Sequence, residues 1–190
     1  GRGQIIDCAM LDSAAILAAV AHAGASVGYW KDARASNMTD GGTPYYAIYA
    51  TADGKHVAVG ALEPKFYATL IARMGLADSD LPSQYDESRG NEIRDRFGQV
   101  FLTKTRAEWV AIMDGVDPCA APVLSLTESW QHPHNASRST FVDYEGAMQP
   151  APAPRLSATP ASIRPWSECA VPLHETLAGW GIDGAAVQQL

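Results

Sequence analysis

The chain has 190 residues, enough for one globular domain or for a small domain with extended arms. Its hydrophobic fraction of 47% is ordinary for a globular protein, so we expect a buried core. The formal net charge of −7 argues against non-specific binding to nucleic acid, and we predict no nucleic-acid partner.

The first predicted element is a helix over residues 5–27 that is apolar on nearly every side. A helix of this kind is either buried or spans a membrane. Asp7, Asp12 and His22 interrupt its apolar run, so we predict burial against a larger body and no membrane span.

The central stretch, residues 37–67, contains a Gly-rich loop, two strands and the start of a helix. Residues 45–51 are rich in aromatic and β-branched side chains, and residues 55–60 alternate polar with apolar, so both predict strands joined by a turn at 52–54. Pro64 suits the first position of a helix and Glu63 suits its N-terminus, whereas Gly75 suits its end.

Further helices are predicted from residue 89 to about residue 104 and from the Thr105-x-x-Glu108 capping box onward. A short extended piece follows at 121–126, a helical turn at 127–130 and a strand at 141–144. Five prolines between residues 149 and 166 predict an extended arm, and a last helix is predicted at 173–180. The pattern predicts an α+β fold: a small domain, over about residues 40–123, with a short antiparallel sheet and packed helices.

The cysteines and histidines indicate neither a disulfide framework nor a metal site. Cys8, Cys119 and Cys169 are odd in number and far apart, which favours a reducing cytoplasm. His132 and His134 resemble a metal-binding pair, but Pro133 between them suggests a turn and no Cys or acid accompanies them at metal-binding spacing. We therefore predict no metal ion.

Several segments together resemble the α-methylacyl-CoA racemases, a branch of the family III CoA-transferases. They are GRGQIIDCAMLD, DGGTPYY, YATADGKHVAVGALEPKFY, HPHNASRSTF and PAPRLS. The similarity covers nearly the whole chain but only the C-terminal half of such an enzyme. It implies that residues 1–30 are a helix of a large α/β domain, that residues 31–144 are a linker and the small α+β domain, and that residues 145–190 return to the large domain.

The resemblance implies a function in fatty-acid metabolism. The full-length enzyme would epimerise 2-methyl-branched acyl-CoA thioesters without a cofactor, since CoA is part of the substrate. Its partners would be the N-terminal half of the same enzyme and a second subunit in an interlocked homodimer. Its compartment would be the cytoplasm, or the peroxisome or mitochondrion in a eukaryote.

Glu63 is the candidate catalytic residue. From the residues alone, a helix cap before Pro64 is the favoured interpretation. The resemblance reverses this preference, because Glu63 matches the Glu of the motif GA-[LI]-E-P-x-F-Y, which supports a His/Asp acid–base pair in these racemases. That pair lies upstream of this chain, so we expect the chain alone to be inactive.

The candidate substrate-binding residues follow from the same resemblance. They are Asp40, Gly41, Gly42, Tyr46 and Leu62. Two alternatives stay open from the residues themselves: Asp40 could cap its own loop in an Asx turn, and Tyr46 could pack in the core.

Two other functions stay open. A family III CoA-transferase would move CoA between carboxylic acids through an acyl-enzyme, although the Glu that follows GAL favours the racemase. The chain could instead be a non-catalytic interaction domain.

Overall fold

The computed structural model describes residues 3–164 and 173–182 of the chain. Residues 1–123 and residues 124–190 form two units. The described residues mix helices with two small antiparallel sheets, which confirms the predicted α+β class. None of the helices among them is both long and apolar enough to cross a bilayer. The domain boundaries expected after residues 30 and 144 stay predictions.

The leading segment differs from the predicted continuous helix over residues 5–27. It forms two short helices, α1 at Met10–Leu17 and α2 at Ala19–Ser26, which are interrupted at Ala18. Neither helix buries a residue, and residues 3–9 are not helical. Most helical stability in proteins comes from packing of an apolar face, so nothing here compels one unbroken helix.

A three-stranded antiparallel sheet organises the first unit. Its order is β1-β2-β3, and its strands are β1 at Tyr46–Ala50, β2 at His56–Gly60 and β3 at Ala120–Val123. The β1–β2 hairpin and its turn, in which Gly54 takes a φ of +70°, were predicted from the sequence. β3 overlaps the short piece predicted to be extended at residues 121–126, and it pairs with β2.

Three helices pack on the inner face of the sheet. They are α3 at Pro64–Arg73, α4 at Gly90–Phe101 and α5 at Arg106–Met113. The capping box predicted for α5 is confirmed: the Thr105 hydroxyl accepts from the Glu108 amide, and the Glu108 carboxylate accepts from the Thr105 amide.

An aromatic core joins the sheet to these helices. Tyr49 of β1 stacks on Phe101 of α4 with ring centroids 5.2 Å apart. Phe101 in turn contacts Trp109 of α5 at 5.1 Å, and the Trp109 indole N–H donates to the Phe101 carbonyl oxygen at 2.9 Å. The packed rings, with a hydrogen-bond partner for the indole N–H, fill the space between the sheet and these helices.

The second unit is built from short elements. They are α6 at Leu126–Gln131, α7 at Pro133–Ser137, strands β4 at Phe141–Tyr144 and β5 at Ala147–Pro150, and α8 at Leu173–Gly179. A turn was expected at Pro133. Pro133 is instead the first residue of α7, a position that proline tolerates. β5 was not predicted. Glu145 and Gly146 both take positive φ and turn the chain back, so that β4 and β5 pair as a hairpin. Residues 151–164 form neither helix nor strand.

Candidate functional site

Glu63 lies between β2 and α3, at the N-cap position of the helix. Its backbone is extended, with φ −77° and ψ 142°, and Pro64 opens the helix behind it. The side chain is exposed, and in the described part of the chain its carboxylate makes no capping hydrogen bond to α3. The residue therefore occupies the cap position while its carboxylate is directed to no helix amide.

The peptide segment before Glu63 is held from a distant loop. Gln84 donates from its side-chain amide to the Ala61 carbonyl oxygen at 3.1 Å and to the Leu62 carbonyl oxygen at 2.9 Å. The Tyr85 hydroxyl donates to the same Leu62 oxygen at 3.0 Å. Neither Gln84 nor Tyr85 was among the candidate residues predicted from the sequence, because no local signal links positions more than 20 residues apart.

The loop at residues 40–42 is organised by the Asp40 carboxylate. One oxygen accepts from the Asn37 amide at 2.8 Å and the Gly42 amide at 3.1 Å, and the other accepts from the Asn37 side chain at 2.8 Å. The Asn37 side chain, followed by smaller backbone contributions, lowers the pKa of Asp40. These contacts are those of the Asx-type alternative considered for Asp40, and they already engage both oxygens.

Each of the two glycines of this loop is needed for a different structural reason. Gly41 takes a φ of +95°, a conformation that other residues adopt only with strain. A Cβ added to Gly42 would lie 2.6 Å from the Asn37 nitrogen and also against the Asn37 carbonyl oxygen. The Gly-Gly pair therefore lets the loop close tightly on Asn37.

An open cleft of about 910 Å³ runs over the outer face of the sheet. Asp40, Gly41 and Tyr46 are among its lining residues, together with Arg34 and Arg94. Gly42, Leu62 and Glu63 are not, and Leu62 packs partly buried against the core. The structure thus brings three of the predicted binding residues to one cleft.

Tyr46 faces this cleft rather than the core. Its side chain is 37% exposed, whereas its neighbours Tyr45 and Ala47 are buried. It pairs with Gly60 of β2, where an added Cβ would lie 3.6 Å from the Tyr46 ring. The core-packing alternative for Tyr46 is wrong: the helices cover the face of β1 that carries Ala47 and Tyr49, and strand alternation then leaves Tyr46 on the outer face.

Cys119 places a thiol at the cleft, beside the carboxylate of Asp117. The thiol lines the cleft and donates to the Asp117 carboxylate at 3.7 Å. Burial, then the Asp117 carboxylate and to a smaller extent the Glu63 charge, raise the pKa of Cys119. Nearby negative charge thus disfavours the thiolate form of Cys119.

The described residues contain no group of three or more His, Cys, Asp or Glu side chains that could hold a metal ion. His132 is the N-cap residue of α7, and His134 lies within that helix.

Known proteins resemble the chain along most of its length. The family model for the family III CoA-transferases matches residues 1–169. The mouse protein named α-methylacyl-CoA racemase is 42% identical over 193 residues, which cover all of this chain and 51% of the mouse protein. The human protein of the same name is 43% identical over 162 residues, covering 85% of this chain and 42% of its own length.

A solved structure shares the fold. The crystal structure of Rv3272 from Mycobacterium tuberculosis is 18% identical, with a TM-score of 0.61 over 83% of this chain and 42% of that one. The chain thus spans about half the length of the curated relatives it matches. Because the family model covers most of the sequence, the chain belongs to the family III CoA-transferases.

Proposed function

We propose that this chain is the C-terminal part of an α-methylacyl-CoA racemase, an isomerase that epimerises 2-methyl-branched acyl-CoA thioesters in fatty-acid metabolism. The observation that carries the proposal is the 42% identity to the mouse racemase over the full length of the chain. Glu63 supports it further, because it matches the Glu of the racemase motif, is exposed and makes no capping hydrogen bond to α3.

The proposed reaction is a proton transfer that balances without a metal or redox cofactor. A base removes the α-proton beside the thioester carbonyl, the electron pair passes to the carbonyl oxygen as an enolate, and an acid on the opposite face returns a proton to the carbon. The acid–base pair would come from the N-terminal half. Glu63 would hydrogen-bond to one member of the pair and hold its protonation state.

The cleft supplies a place for part of the acyl-CoA. Tyr46, Ile48 and Ala58 offer an apolar floor, and Arg34 and Arg94 bring positive charge to a chain of net charge −7. Asp40 and the two glycines would shape the loop beside the substrate rather than bind it through the Asp40 carboxylate, which the loop already engages. Leu62 would contribute to the acyl pocket next to Glu63.

Two kinds of partner complete the proposed enzyme: its N-terminal half and a second subunit. The leading helices expose large apolar side chains such as Met10 (89%) and Leu17 (88%), and apolar surfaces of that kind mark interfaces. Spaced, unpaired Cys8 and Cys119 suit a reducing compartment, which we propose to be the cytoplasm, or the peroxisome or mitochondrion in a eukaryote.

The test is α-proton exchange of a 2-methylacyl-CoA in D₂O, followed by mass spectrometry. The longer enzyme should exchange the proton in the absence of any free carboxylic acid, and the 190-residue chain alone should not. A requirement for a free acid with ping-pong kinetics would identify a CoA-transferase instead. Exchange by the chain alone would contradict an acid–base pair outside it, and no turnover of either kind by the longer protein would favour an interaction domain.

A further inference from the structure

The loop between α3 and α4 reaches back to the segment that carries Glu63. Gln84 donates two hydrogen bonds, to the Ala61 and Leu62 carbonyl oxygens, and Tyr85 donates one to Leu62. We propose that Gln84 and Tyr85 form a clamp that positions Glu63 for catalysis. This inference rests on the proposed function, because it assigns the clamp a purpose only if Glu63 takes part in the reaction.

The segment that the clamp holds is a tight turn. The Leu62 amide donates to the Gly60 carbonyl oxygen at 2.9 Å, two residues back, and Ala61 is fully buried. Successive carbonyls in such a turn can share one donor only if they point to the same side. Gln84 spans both oxygens with one side-chain nitrogen, so its two bonds define the orientation of the peptide that leads into Glu63.

The backbone of Glu63 is also held from its other side. The Phe66 and Tyr67 amides both donate to the Glu63 carbonyl oxygen at 3.0 Å, as the first turn of α3 requires. With Pro64 limiting the backbone between them, Glu63 is fixed by the clamp before it and by the helix after it. Its carboxylate makes no capping bond in the described structure, so the restraint acts on the backbone and leaves the acid group available.

The clamp is attached to the core through one aromatic ring. The ring of Tyr85 meets the ring of buried Tyr45 edge-on, with centroids 5.8 Å apart. Tyr45 meets Tyr67 of α3 in the same way at 6.2 Å. The loop that carries Gln84 and Tyr85 and the first turn of α3 therefore both pack against Tyr45, which fixes their positions relative to each other. A catalytic group must be held within a fraction of an ångström, and such shared packing provides that precision.

A clamp that only stabilises the fold would make the same hydrogen bonds. The test therefore has to separate a structural role of Gln84 and Tyr85 from a role in positioning Glu63. The variants are Gln84→Met, which keeps length and removes the donors, and Tyr85→Phe, which keeps the ring against Tyr45. The matched control is Gln99→Met, at an exposed position of α4. Each change is made in the full-length enzyme, alone and combined with Glu63→Gln, and kcat and KM are measured by α-proton exchange.

We expect Gln84→Met to lower kcat by about tenfold or more, with a smaller change in KM, because misplacement by a fraction of an ångström is costly in the transition state. In the Glu63→Gln background the same change should lower kcat by less than about twofold, since the group being positioned is already gone. Tyr85→Phe should show a weaker version of this pattern, and Gln99→Met none. An equal loss in both backgrounds, or no loss at all, would overturn the proposal.

Hydrogen exchange provides a readout that does not depend on activity. In Gln84→Met the Leu62, Phe66 and Tyr67 amides should exchange at least about threefold faster than in Gln99→Met, since the restraint on local opening is lost. Unchanged exchange would reject the clamp whatever the kinetics show. A wild-type enzyme without α-proton exchange would instead reject the proposed function and with it the catalytic purpose of the clamp. The amide exchange rates would then decide only whether Gln84 restrains the segment around Glu63.

Discussion

Arg94 of α4 donates a hydrogen bond of 2.8 Å to the carbonyl oxygen of Gly41, which lies 53 positions earlier in the chain. This contact ties the loop at residues 40–42 to the helix behind it, and both residues line the cleft. The loop is therefore held in two ways, by the Asp40 carboxylate within it and by a guanidinium from outside it.

Removal of the hydrogen bond from Arg94 to Gly41 should destabilise the chain and loosen the cleft. Arg94→Met loses a charge-assisted hydrogen bond at a half-buried position, so we expect the free energy of unfolding to fall by about 1–2 kcal/mol. Urea unfolding checks this, and KM for the acyl-CoA should rise in the longer enzyme. Arg96→Met, at an exposed position of the same helix, is the control and should change the stability by less than about 0.5 kcal/mol.

Gly42 and Gly98 should respond to alanine in opposite directions. A Cβ at Gly42 would meet the Asn37 backbone, which cannot move away as a flexible side chain could, so Gly42→Ala should lower stability by about 1–3 kcal/mol. Gly98 lies inside α4 with nothing within 4 Å of an added Cβ, so Gly98→Ala should raise stability by about 0.5–1 kcal/mol. Thermal unfolding of the two variants side by side measures both changes in stability. A Gly42→Ala chain as stable as the original would mean that the loop is not closed on Asn37.

Cys119 should react slowly with alkylating reagents near neutral pH. Burial and the Asp117 carboxylate raise the pKa of its thiol, so a smaller fraction is present as the reactive thiolate. Asp117→Asn removes the charge but keeps an oxygen that can accept from the Cys119 amide, as Asp117 does at 3.2 Å. The variant should therefore label faster at Cys119, by peptide mass spectrometry, while labelling of exposed Cys8 stays constant and serves as the internal reference. Equal rates at Cys119 in both proteins would contradict the effect of Asp117.

Glu63→Gln should separate the cap interpretation from the catalytic one. Because Glu63 makes no capping hydrogen bond, we expect the stability to change by less than about 0.5 kcal/mol. In the longer enzyme, loss of the ionisable group should reduce kcat/KM on the order of 10²-fold, about 2.7 kcal/mol in transition-state stabilisation, and shift its pH profile. Glu92→Gln, which removes an exposed partner of Arg89, is the control for a change of charge alone. A Glu63→Gln enzyme of normal rate and pH profile would leave Glu63 without a role in the reaction.

Local patterns were sufficient for the elements that surround Glu63. The hairpin over residues 46–60 follows from alternation and a turn at Gly54, and α3 begins at Pro64 as predicted. The capping box at Thr105 and Glu108 was also recognised. In each case the deciding contacts join residues at most four positions apart or adjacent strands of one hairpin, so the information lies within a short segment.

The sequence by itself therefore determined the α+β class, the β1–β2–α3 order and the place of Glu63 at the start of a helix. The tertiary structure decided the rest. Which side of β1 faces the core depends on where α3, α4 and α5 pack, and only that packing turns Tyr46 outward into the cleft. The bonds from Gln84 to Leu62 and from Arg94 to Gly41 join positions 22 and 53 apart, and no pattern within a segment specifies them, because they form only after packing brings the two segments together.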